Sequence, residues 1–190
     1  MTAIAPATPA VAPPVSDVEL RVLDFYRASE LHGGLVLGAV AQRARQPELI
    51  VLLTRHAAEE VVHAQLWAQT IVAVGGRPHP VRRTYQARLA ERVGAPSSLL
   101  QVLALTQVFE RRVYRHFQSH LRRPGTHPLV CATLERMLHE ERDHLRWVHA
   151  WLERASRRAA MDLPALLARY RAVDDEVYAD AVRELGWEDM

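Results

Sequence analysis

The stretch His56-Ala-Ala-Glu-Glu-Val-Val-His63 and its echo Glu141-Arg-Asp-His144 constrain this chain most. Residues i and i+3 share one face of a helix. Glu60 with His63, and Glu141 with His144, therefore each aim a carboxylate and an imidazole in a common direction. Such a pair on each of two helices, with one further Glu from each of two others, is the ligand set of a dinuclear metal centre inside a four-helix bundle. The sequence supplies the two extra carboxylates at Glu30 and Glu110.

A lone Glu-x-x-His carries little weight, because chance alone supplies about 0.7 of them in a chain with this many Glu and His. Depth is the stronger test. The first interhelical turn falls near Arg45, with Glu30 fifteen residues before it and Glu60 fifteen after. The second falls near Gly125, with Glu110 fifteen before and Glu141 sixteen after. In antiparallel hairpins each pair lies at one level, roughly 22 Å from its turn. Two hairpins thus carry the same device at the same depth.

Helical periodicity supports the placement. The first helix is expected from about Asp17 to Ala44, opened by the capping box Ser16-Asp-Val-Glu19. Its stripe of Val22, Tyr26, Glu30, Gly33, Leu37 and Val40 holds a single charge. The second runs from Pro47 to the Gly75-Gly76 stop, with Leu49, Leu53, His56, Glu60, His63 and Trp67 on one face. The third opens at Ser98-Leu-Leu-Gln101 and carries Leu103, Thr106, Glu110, Val113 and Phe117; the fourth starts near Pro128 and carries Leu134, Met137, Glu141, His144 and Val148. A further helix, capped by Asp162, is expected to reach about Leu185 and to pack across the bundle. Between the hairpins, Arg77 to Pro96 is a long connection with a short helix expected within 82–93, as a crossover between two hairpins requires. The fold expected is all-α: a four-helix bundle of two hairpins joined by a long crossover, plus a C-terminal helix.

Composition bounds the alternatives. The chain of 190 residues fits a single domain, assigned to 16–190, with 1–15 as a disordered Ala/Pro-rich tail. That tail lacks the basic and unbroken apolar regions of a signal peptide, and no apolar run approaches membrane-spanning length. A cytoplasmic protein is expected. All 24 basic residues are Arg, but 22 acidic residues leave a formal charge of only +2, so nucleic acid is not the expected partner, although Arg82-Arg83, Arg111-Arg112 and Arg122-Arg123 leave a polyanion open. The single Cys131 rules out a disulfide framework and Cys-based metal sites, and is expected to fill core space on the fourth helix.

Four carboxylates in an apolar layer repel one another. Two divalent cations cancel them, and neutral His adds ligands without charge. One Glu terminal on each metal, two bridging, and one His per metal is the expected arrangement. Carboxylate-rich sites of this kind suit iron, manganese or a mixed pair rather than structural zinc.

The pattern resembles the ferritin-like di-iron carboxylate proteins, a group spanning ferritins and bacterioferritins, rubrerythrins, aldehyde-deformylating oxygenase and the tRNA-modifying di-iron hydroxylases. The likeness covers roughly Ser16 to Arg158. It implies that Glu30, Glu60, His63, Glu110, Glu141 and His144 hold two iron ions. Departures narrow the group: one Cys leaves no rubredoxin-type iron, and Val61 stands where bacterioferritins have a haem-binding Met. The fifth helix and long crossover look less like a storage cage.

Several residues flank the ligands. Glu59 and Glu140 lie four positions before the two ligand His and are candidate second-layer acceptors, as is Asp143. Tyr114 lies one turn past Glu110, and reads as a core aromatic or a second-layer donor. His56, one turn before Glu60, reads as a satisfied core histidine. Gly33, Gly34 and Gly38 cost about 1 kcal/mol each inside a helix, which points to a substrate space beside the metals. The expected function is non-haem di-iron oxidation of a small organic substrate by dioxygen, with electrons from an external ferredoxin or reductase, since no flavin or nicotinamide motif is present. Alternatives are a ferroxidase or iron-binding protein and a hydroxylase of a modified tRNA base. A homodimer is an allowed assembly.

Overall fold

A computed structural model describes residues 14–187; the tail expected at 1–15 therefore lies almost wholly outside the described residues. Six helices form: α1 (Asp17–Ala41), α2 (Pro47–Ala73), α3 (Tyr85–Val93), α4 (Leu99–Arg122), α5 (Pro128–Arg158) and α6 (Leu163–Leu185). No strand occurs among the described residues. None of these helices is long and apolar enough to cross a membrane.

Local chemistry sets the ends. The Ser16 hydroxyl accepts from the Glu19 amide at 3.2 Å, Ser98 from Gln101 at 3.2 Å, and Asp162 from Ala165 at 3.0 Å. Each satisfies an orphan N–H of the first turn. The reciprocal half of the second capping box is displaced by one residue: Gln101 Oε1 accepts from the Ser97 amide, not from Ser98. α1 stops at Ala41, earlier than the stripe suggested, because Ala44 closes a tight turn onto Val40.

Two apolar cores sit at opposite ends of the bundle. One gathers Leu37, Leu53, Leu103, Val148 and Leu152; the other gathers Val22, Trp67, Phe117, Leu134 and Met137. The first core draws on the C-terminal half of α1 and α5 but the N-terminal half of α2 and α4. So α2 and α4 run in the same direction, and the chain between them must travel the length of the bundle, which is why a two-residue turn would not serve. This crossover is pinned to α1: the His79 amide donates to Asp24 Oδ2 at 2.8 Å, and Arg27 donates to the His79 carbonyl at 2.6 Å.

α6 does not lie on the first core alone. It packs along α4 and α3, where Val177 and Ala181 meet Tyr85, Leu89 and Phe109. Buried Asp174 ties the three helices, accepting from the Tyr85 hydroxyl at 2.7 Å and from Arg112 at 2.8 Å. Cys131 departs from its expected core role. It sits half-buried in the first turn of α5, with its thiol directed at the Thr126 carbonyl 3.7 Å away.

Candidate metal centre

Between the two cores lies one polar layer. Glu30 (α1), Glu60 and His63 (α2), Glu110 (α4), and Glu141 and His144 (α5) are each at most 3% exposed. The equal depth of the two hairpins brings all six together, and they form two groups that share Glu60. Glu30, Glu60, His63 and Glu141 each offer one ligand atom within 4.8 Å of the others, and so do His56, Glu60, Glu110 and His144. Glu141 spans the two imidazoles, with Oε1 3.3 Å from His63 Nδ1 and Oε2 3.3 Å from His144 Nδ1.

His56, read from the sequence as a satisfied core histidine, is fully buried within this layer. Its Nε2 lies 3.2 Å from Glu60 Oε1 and 3.3 Å from Glu110 Oε1, and its ring stacks 3.6 Å from that of His144. The signal was present, since His56, Glu60 and His63 share one helix face, but a histidine one turn away from a ligand is commonly core. It enters the layer here because α4 delivers Glu110 beside it. One group therefore holds two imidazoles and the other holds one.

The second layer is crossed between helices. Glu59 and Glu140 were expected to serve the His four residues along their own helix. Instead His63 Nε2 on α2 donates to Glu140 Oε2 on α5 at 2.8 Å, and His144 Nε2 on α5 donates to Glu59 Oε2 on α2 at 2.9 Å. The reason is geometric. Each Nδ1 faces the carboxylate layer, so Nε2 at the far side of the ring points at the neighbouring helix. A proton held on Nε2 leaves the Nδ1 lone pair free as a ligand. Glu59→Gln or Glu140→Gln is expected to weaken metal affinity by about ten- to a hundredfold with little change in helix content. Competition with a chelating indicator measures it, and unchanged affinity would remove the orienting role.

Asp143 and Tyr114 have no part in this layer. Asp143 is exposed and pairs with Arg146 at 3.3 Å. The Tyr114 hydroxyl accepts from Arg142 at 3.1 Å, and the ring packs on the second core.

The electrostatics show a layer short of positive charge. Burial lifts the Glu30 carboxyl well above the usual carboxylate range, and Glu60 beside it adds to the rise. Burial does the same to Glu110, reinforced by Glu141 and Glu60. Burial alone would depress His63 and His144, yet the carboxylates around them push the first up to about 12 and the second to about 10. Against its own burial, Glu141 is held well below the usual range by those two imidazoles. His56 goes the other way: burial and then the adjacent His144 lower it to about 3, leaving a neutral ring. Protons thus stand in for cations.

Each of the two groups could hold a metal ion. The buried atoms His56 Nδ1, His63 Nδ1 and Glu141 Oε1 lack a well-directed hydrogen bond. Such orphans are costly unless something meets them. Seven oxygen and nitrogen donor residues with no sulfur make a donor set that a divalent ion could take up.

The glycines divide. A Cβ on Gly33 would fall 2.7 Å from Glu60 Oε2, so the bare backbone makes room for that carboxylate. On Gly34 it would fall 2.9 Å from the Ala57 carbonyl and 2.8 Å from Val61, which is close helix packing, and on Gly38 it would meet nothing nearer than 4.0 Å. Only Gly33 lines the cavity beside Glu110; Gly34 and Gly38 do not. Gly33→Ala is expected to lower metal content while the melting temperature of the metal-free protein holds. Gly34→Ala is expected to destabilise the fold by about 1–3 kcal/mol through overpacking. Metal analysis and thermal melts of the two variants separate these outcomes; metal loss in Gly34→Ala alone would reverse the assignment.

No family model, curated protein or solved structure matches this chain.

Proposed function

We propose that the chain is a ferritin-like dioxygen-dependent oxidoreductase that holds two iron ions and oxidises a small organic substrate. The observation that carries this reading is the buried layer of four carboxylates and three imidazoles in two groups sharing Glu60, opening onto an apolar cavity at Glu110. When bound, a redox-active iron pair supplies binding and reduction of dioxygen.

The chain's own residues do the rest. Glu30 and Glu110 cap the two ends of the layer, Glu60 and Glu141 span its middle, and His63 and His144 present Nδ1. Glu140 and Glu59 hold the tautomer that makes this presentation. His56 makes the two positions unlike, with the Glu110 side richer in nitrogen. The two dry cores exclude water above and below, where the same charges act more strongly than in solvent. The described residues include no second redox site built on cysteine, and an external ferredoxin or reductase in the cytoplasm is the electron source this reading requires.

A storage role needs a path for iron but no organic pocket, and the cavity favours the oxidase reading over it. The test is dioxygen uptake. Protein loaded anaerobically with ferrous iron is expected to consume dioxygen faster than the same iron in buffer, and Glu60→Ala is expected to abolish the difference. Absence of any acceleration in the loaded wild-type protein would defeat the proposal. Size-exclusion chromatography showing a large hollow cage would return the storage reading.

A further inference from the structure

The cavity beside Glu110 has a shape and a polarity. It occupies about 400 Å3 between α1, α3 and α4. That volume is ordinary for a small-molecule site. Along α1 the lining runs from His32 to Val40, and Arg43 stands in the turn beyond Ala41. The eight helical steps from His32 to Val40 span roughly 12 Å. A space lined along that length suits an extended ligand rather than a compact one.

Its walls are mainly aliphatic, including Leu37, Val40, Leu89, Val102 and Leu105. Polar groups sit chiefly at the two ends, and they differ. At the inner end stand His32, Glu110, a carboxylate of the metal layer, and Gln86, whose Nε2 donates to the Ser29 carbonyl at 2.7 Å while its Oε1 is buried without a partner. An acceptor and a carboxylate together disfavour an anion there. At the outer end stands Arg43, exposed and without a carboxylate partner among the described residues. An Arg at the mouth of an apolar slot favours a planar anion and disfavours a cation.

We infer that the cavity takes a slender amphiphilic monoanion of the medium-chain carboxylate class, with its acid group at Arg43 and its apolar end against Gly33 and Glu110. The identification of this ligand as the substrate rests on the oxidoreductase reading; the binding itself does not.

The experiment is calorimetric titration of the full chain, at neutral pH and known metal content, with decanoate, 1-decanol and decyltrimethylammonium. Decanoate is expected to bind best, at one molecule per chain, with the alcohol about fivefold weaker and the cation weakest. That factor is what an ion pair at a wet rim supplies. Arg43→Gln is expected to erase the difference between acid and alcohol while leaving the alcohol unchanged. Ala90→Phe, on the α3 wall, is expected to weaken acid and alcohol alike by about tenfold or more by filling the slot. Val102→Phe does the same from α4 if the α3 variant fails to fold. A decanoate bearing a diazirine at its terminal carbon is expected to label peptides containing Gly33 or Phe109. Equal binding of the three probes, binding indifferent to both Phe variants, or labelling at Arg43 and Pro96 instead, would each overturn the inference. Protein that carries two ions but binds no decanoate defeats the inference alone. Protein that binds decanoate in the predicted order but never acquires metal defeats the oxidoreductase reading alone.

Discussion

Metal-loaded protein is expected to carry about two divalent ions per chain and to melt well above the metal-free form. A ligand held at about a hundred times its Kd adds roughly 2.7 kcal/mol. For a domain of this size that is roughly 5–10 °C per ion. The cause is local: four carboxylates in a dry layer lose their counter-charges when the metal leaves. The apolar cores above and below do not depend on the metal, so the metal-free chain stays folded, unlike a zinc finger. Glu60→Gln makes the test sharper, because Glu60 belongs to both groups. It should abolish loading at both positions. It should also leave the metal-free protein folded, since both apolar cores persist. Calorimetric melts with metal analysis measure both effects. Equal melting temperatures with and without metal in the wild-type chain would count decisively against a buried dinuclear site.

Metal-free protein is expected to lose stability as pH rises from about 6.5 to 10, and metal-loaded protein is not. The unfolded chain releases its histidine protons near pH 6.5. The folded state keeps those of His63 and His144 up to about 12 and about 10. Across that window the native state binds more protons than the unfolded state, so stability falls with pH, by up to roughly 1.4 kcal/mol per pH unit for each retained proton. Glu30 and Glu110, raised by burial, act in the same direction. Below pH 6.5 the trend is opposed, because His56 and His116, each lowered to about 3 chiefly by burial, stay neutral while the unfolded chain takes up protons. Metal binding requires the ligands deprotonated, so affinity rises with pH. The gap between loaded and metal-free melting temperatures should therefore widen on going from pH 6.5 to 9. A gap that narrows would contradict the assignment of these groups to the site.

The helices and the level of the metal layer were legible in the chain because both follow from one-dimensional periods. A 3.6-residue repeat places Glu30, Glu60, Glu110 and Glu141 on apolar stripes, and a turn at a known position converts sequence distance into depth. Hence four helices of different sequence deliver six side chains to one layer, as their spacing predicted. The long interval after Gly76 likewise announced a crossover, and the structure makes it run the full length of the bundle.

What periodicity cannot express is how each helix is rotated against its neighbours. That rotation decides that His56 meets Glu110, that Glu59 and Glu140 exchange partners between α2 and α5, and that Asp143 turns to solvent. It also separates Gly33, which makes room for a carboxylate, from Gly34, which makes room for a helix. The cavity depends on a further circumstance outside any single helix. The slot between α1 and α4 gains a third wall because α3 lies beside it, and α3 is held there by Tyr85 on Asp174 of α6 and by Gln86 on Ser29 of α1. Those partners stand 89 and 57 residues apart in sequence, a distance over which no local pattern carries information, and only the packed chain brings them into contact.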